Sequence, residues 1–137
     1  MSQWTHVAAV IRFDALRLPG MPDMSPQLGT PARWDDGGSF DKCDMPCGSE
    51  GSLDYAVWEN PHTNSISAYT VMIWGDLRDY QDVDEIAAYL DRITSGKMIR
   101  SGVAEIDVEF HDKIVLRHNC DHENGAWTEV ARIPHAD

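Results

Sequence analysis

The chain alternates apolar and polar residues in several separate stretches. From Trp4 to Phe13, Val7, Ala9, Ile11 and Phe13 fall on one side and Trp4, His6, Ala8, Val10 and Arg12 on the other. Both sides are largely apolar, which predicts a central strand covered on both faces. Leu53, Tyr55 and Val57 alternate with Asp54, Ala56 and Trp58; turn residues follow from Asn60 to Ser65, and Tyr69, Val71 and Ile73 resume the period. This reads as a hairpin with a loop longer than two residues. Asp82, with Glu85 three positions on, forms a capping-box pattern ahead of Val83, Ile86, Ala87, Leu90 and Ile93, and Gly96 supplies the stop. That spacing predicts a helix over 82–95.

Ala104, Ile106, Val108 and Phe110 then alternate with Glu105, Asp107 and Glu109, a strand with one dry face and one acidic face. For its partner starting near Ile114, a three-residue loop keeps the faces consistent. It sets Phe110 opposite Ile114, Val108 opposite Leu116 and Asp107 opposite Arg117. After Cys120 the spacing of Trp127, Val130 and Ile133 suits a helical turn as well as a short strand, so the type of the tail stays open.

Between about 19 and 51, eleven Pro and Gly positions from Pro19 to Gly51 break every period. Irregular connections of this length are usually functional or mobile. One domain over 1–137 follows from length. The order of elements predicts an α+β fold, a mainly antiparallel sheet of about five strands with the one helix on a single face. A second helix within the irregular segment would make the order β-α-β-β-α-β, the ferredoxin-like arrangement with a strand added. One side of the sheet, carrying Trp58, Trp74 or Trp4 beside Glu105, Asp107 and Glu109, would then face solvent or a partner.

Charge changes this picture most. With 23 Asp and Glu against 11 Lys and Arg, the net charge is −12, which disfavours direct contact with nucleic acid or an anionic membrane. The first residues lack a basic stretch followed by an apolar one, no apolar run reaches membrane-spanning length, and three cysteines are too few and too odd for a disulfide framework. The expectation is a cytoplasmic protein.

Four groups of residues are candidates for chemistry. Cys43 and Cys47, with His118, Cys120 and His122, offer a soft ligand set of the kind zinc prefers, although their spacing matches no established zinc motif. The plainer account is two loop thiols and a strand end with an ordinary histidine and a buried cysteine. The Gly-rich stretch Pro46 to Ser52 precedes a strand and contains Glu50, the wrong context for a phosphate loop, and reads as a turn needing positive φ at Gly48 or Gly51. Cys47 as a nucleophile lacks a surrounding signature. The acidic runs, from Asp76 to Asp91 and at Glu105, Asp107 and Glu109, read either as solvated surface or as an electrostatic face for a basic partner. Of the five tryptophans, Trp34, beside Asp35 and Asp36, is the hardest to place in a core.

Trp4-Thr-His-Val, Pro46-Cys-Gly-Ser-Glu-Gly-Ser-Leu53 and Ile73-Trp-Gly-Asp-Leu-Arg-Asp-Tyr80 together resemble small uncharacterised proteins of bacteriophages and prophages. The resemblance spans about residues 4 to 119 and implies a phage or bacterial setting without assigning an activity. The leading expectation is a non-enzymatic acidic protein that binds a protein partner with a basic surface, such as a phage-type inhibitor of a basic or nucleic-acid-binding host protein. Trp34, Asp79, Asp82, Glu105, Asp107 and Glu109 are the expected contacts. Alternatives are an oligomeric module sequestering a small ligand or nucleotide, whose pocket would need Arg12, Arg33 or Arg100, and a zinc-binding protein using Cys43, Cys47, His118 and Cys120.

Overall fold

A computed structural model describes residues 2–16, 25–32, 44–121 and 123–136. Six strands form one antiparallel sheet: β1 (Trp4–Leu16), β2 (Asp54–Glu59), β3 (Ile66–Arg78), β4 (Met98–Val108), β5 (Lys113–His118) and β6 (Trp127–Ile133). Their order across the sheet is β2-β3-β1-β4-β5-β6. Among the described residues there is a single helix, α1 (Val83–Thr94), between β3 and β4. The expected α+β class is therefore corrected: strands dominate, six rather than about five, and the helix is one 12-residue element. The alternations run further than the sequence pattern suggested, to Leu16 in β1 and Arg78 in β3, and the tail adds β6. The second helix that a ferredoxin-like order needs between β1 and β2 does not occur in the described residues of that stretch, 25–32 and 44–53.

The core lies between α1 and one face of the sheet. Val7, Ala9, Ile11 and Phe13 of β1 meet Ile73 and Val71 of β3 and Ala104 and Ile106 of β4 in register. From the helix, Ile86, Tyr89, Leu90 and Ile93 are buried against them at the spacing of one helical stripe. Asp82 caps α1 by accepting the Glu85 amide at 3.0 Å, and Gly96 follows the helix at φ +71, as the capping pattern predicts. Glu85 departs from a full capping box, because its carboxylate accepts the Tyr80 hydroxyl instead. The helix end is tied to the far strand: the Trp127 indole donates to Thr94 Oγ1 at 3.2 Å and its amide to Asp91 at 3.2 Å.

Two local expectations are corrected. β1 is central, but it is covered on one face only: Ala8 and Arg12 are exposed and Val10 is half-buried. The β4–β5 register differs by four residues from the expected one. Ile106 faces Ile114, Ala104 faces Leu116, and Asp107 faces Lys113, so the Asp107–Arg117 pair does not form. A shift of four preserves the faces, which is why alternation alone could not detect it. The cause lies in β1: the Glu109 amide donates to the Trp4 carbonyl and the Glu109 carboxylate accepts from the Trp4 amide, both at 3.0 Å. Glu109 is held against β1, so the chain turns back only through the left-handed Phe110, at φ +70.

Candidate functional site

The face of the sheet opposite α1 is open. Alternation brings Trp58 of β2, Met72 and Trp74 of β3 and Val103 of β4 to it, and they are exposed by 50, 40, 45 and 42%. Apolar residues this accessible on adjacent strands form a patch of the kind that marks interaction sites. Across the sheet, Asp54 is opposite Trp74, Trp74 opposite Ala8, Ala8 opposite Glu105, and Glu105 opposite Val115. Trp74 and Glu105 stand two strands apart with only the small Ala8 side chain between them. In the next row Asp76 is opposite His6, His6 opposite Asp107, and Asp107 opposite Lys113. An exposed indole is thus bordered by carboxylates on three strands.

His6 fixes the end of this face. Its Nδ1 lies 2.6 Å from Asp76 and its Nε2 2.9 Å from Glu109, joining β3, β1 and the turn that follows β4 through one imidazole. The hydrogen bonds to Asp76 and then Glu109 raise the His6 pKa against a smaller opposing effect of burial. The same contact with His6, helped by the Trp4 amide, lowers that of Glu109. With both ring nitrogens facing carboxylates, the charged imidazolium is the form that satisfies all the contacts. Glu105 has Lys113 at 3.8 Å, a loose exposed pair.

Among the expected contact residues, Glu105, Asp107 and Glu109 are gathered at this one end of the open face. Asp79 and Asp82 are not part of it. Asp79 sits at φ +54 in the turn after β3, where it accepts from Ser49 Oγ at 3.0 Å, and Asp82 is the helix cap. Trp34 lies outside the described residues, as do Cys43 and His122. Sequence reasoning missed the His6 cluster. His6 stands on the outward side of the first alternation, but its carboxylate partners come from chain positions 70 and 103 residues away, and only the strand order brings them together.

The cysteine and histidine candidates are divided by the helix. Cys47 belongs to a segment that borders Glu85, Ala88, Tyr89 and Arg92 of α1, while His118 stacks edge-on against Trp127, which bonds Asp91 and Thr94 on the other flank. Among the described residues, no three His, Cys, Asp or Glu side chains gather as a metal-ligand group. His118 Nδ1 accepts the Cys120 amide at 2.9 Å, and burial lowers the His118 pKa, so the ring sits neutral in the core. The expectation of a buried Cys120 is also corrected: it is exposed, in a left-handed conformation at φ +60 just past the end of β5.

The Gly-rich stretch acts as an extension of the sheet. Gly48 donates to Gly51, Ser49 donates to the Arg78 carbonyl, and Arg78 donates back to Glu50. Gly51 has φ +79, and a Cβ there would collide with the Asp76 carbonyl, so glycine is required on both counts.

No helix among the described residues is long and apolar enough to cross a membrane. Comparison with protein-family models, curated proteins and solved structures found no match to the chain.

Proposed function

We propose that this chain is a non-catalytic binding module that engages a protein partner through the acidic end of its open sheet face. The observation that carries the reading is Trp74, half exposed and bordered by Asp54, Asp76 and, across Ala8, Glu105. A partner lysine or arginine laid over the indole would gain a cation–π contact and a carboxylate together. Met72, Val103 and Trp58 would supply the apolar centre around which such an interface forms. The overall charge of −12 supports the same polarity by steering a basic partner toward the molecule. A nucleic-acid-binding protein is the favoured partner, because its basic surface complements the carboxylates.

The test is capture from bacterial lysate at several salt concentrations with the wild type and with a Glu105→Lys/Asp107→Lys variant. The expected result is a partner retained by the wild type, weakened by salt, lost with the double variant and displaced by DNA. Capture that is indifferent to both salt and charge reversal would overturn the reading.

A further inference from the structure

At the opposite end of the open face the charge is reversed. Arg12 of β1 is opposite Ser101 of β4, and Arg117 of β5 is opposite Val103. With Val10, Arg100 and Cys120 these residues line a depression of about 500 Å³. Arg100 is held by Asp14, with contacts of 2.5 and 2.7 Å. Arg12 donates to Ser101 Oγ at 3.2 Å. Among the described residues no carboxylate pairs with Arg12 or Arg117, although the chain has 23 acidic residues against 11 basic ones. Elsewhere among the described residues Arg78, Arg132 and Lys113 each have a carboxylate, while Arg92 donates to the Asp44 carbonyl and lies over the Tyr89 ring. Two unneutralised guanidiniums bordering one depression repel each other unless an anion joins them.

We propose that this depression binds the phosphoryl group of a small phosphate monoester. Arg12 and Arg117 stand on strands either side of β4, roughly 10 Å apart across the sheet, and both side chains can reach inward over it. A phosphoryl dianion presents three oxygens to two guanidinium forks, whereas a carboxylate presents one planar edge that a single fork occupies. The charges match as well: Arg12, Arg100 and Arg117 against Asp14 leave two positive charges for a dianion. Ser101 adds a hydroxyl, and Val10 and Val103 give the organic part of the ester an apolar wall.

The test is isothermal titration calorimetry of the full chain in a phosphate-free buffer, with inorganic phosphate and with adenosine 5′-monophosphate as separate probes. Binding of both is expected, with tighter binding of the nucleotide where the apolar wall contributes. Arg12→Ala and Arg117→Ala should each weaken binding by about tenfold or more, as for hydrogen bonds to a charged group. Arg132→Ala, which removes the same charge elsewhere, should leave binding unchanged. Both tested arginines are exposed, and circular dichroism of each variant confirms that it is folded. If neither probe binds, or if Arg132→Ala weakens binding as much as the two site variants do, the proposal is overturned.

Discussion

Ile73 and Trp74 are adjacent in β3, yet one is almost fully enclosed in the core and the other stands half exposed on the open face. Ile106 and Glu105 make the same pair in β4. The two faces of this sheet therefore have separate surroundings within a period of two residues, and the proposed function gives them separate tasks. The covered face holds the fold together, since its side chains share one core with α1 and with Leu28, Met45 and Leu53. The open face contributes little packing and carries the exposed Trp58 and Trp74 and much of the arranged charge. The difference predicts that stability and recognition can be changed independently by substituting neighbours.

The largest effect is expected on the covered side. Ile73→Ala should lower unfolding free energy by about 2–5 kcal/mol, the usual range for deleting such a side chain from a packed core. Partner affinity, measured on protein that remains folded, should be unchanged. Trp74→Ala should do the reverse: urea unfolding should shift by about 0.5 kcal/mol or less, as for surface positions, while binding weakens by about 2 kcal/mol, as for an aromatic anchor. If Trp74→Ala unfolds the protein as readily as Ile73→Ala, the open face is part of the core and the division fails.

The covered face was the more legible of the two. Val7, Ala9 and Ile11, and Ala104, Ile106 and Val108, declare their side by alternation, and Asp82 and Gly96 mark the helix ends. These signals are local, so they survive without knowledge of which strand lies beside which. The weight of strand over helix was underestimated because β6 carries outward-facing Val130 and Ile133, both exposed, which blur its period. The candidate site was legible in part, since alternation put Glu105, Asp107 and Glu109 on one outward side with Trp58, Trp74 or Trp4 beside them. Their grouping with Asp76 and His6 was not, because it depends on β1 lying between β3 and β4. Arg12 was expected at a ligand pocket beside Arg33 or Arg100, but its grouping with Arg117 was hidden for the same reason: it arises across β4, and no sequence spacing records it.

Histidine gives a smaller and sharper comparison, because one lies on each face. His6, between two carboxylates on the open face, has a raised pKa, while His118, buried beside Trp127, has a lowered one. A raised folded pKa contributes stability that is complete below the unfolded value near 6.5 and is lost as pH rises through the folded value. A lowered one contributes stability that is complete above about 6.5 and is lost as pH falls through the folded value. The two losses lie on opposite sides of about pH 6.5, so both flanks are present in the wild type. His6→Asn should leave a protein whose melting temperature declines on acidification below about pH 6.5, while His118→Gln should leave one that loses stability as pH rises above it. Matching slopes in all three proteins would mean that the two environments do not differ.

The smallest effect concerns Lys113, which sits on the open face opposite Asp107 and 3.8 Å from Glu105. An exposed pair at that distance is screened by water, so Lys113→Ala should change stability by less than about 1 kcal/mol. Its influence on recognition has the opposite sign to that of Glu105→Lys. Removing the cation leaves Glu105 and Asp107 unopposed beside Trp74, which deepens the negative potential a basic partner meets on approach. The association rate should rise by roughly two- to threefold at low ionic strength and the gain should vanish near 0.5 M salt, where the screening length is only a few ångströms. Dissociation should hardly change, because Trp74 and the apolar row hold the complex once formed. Stopped-flow kinetics with the captured partner separate the two rates. A slower association after Lys113→Ala would place the partner's own carboxylates over Lys113 and reverse the assignment of polarity at this end of the face.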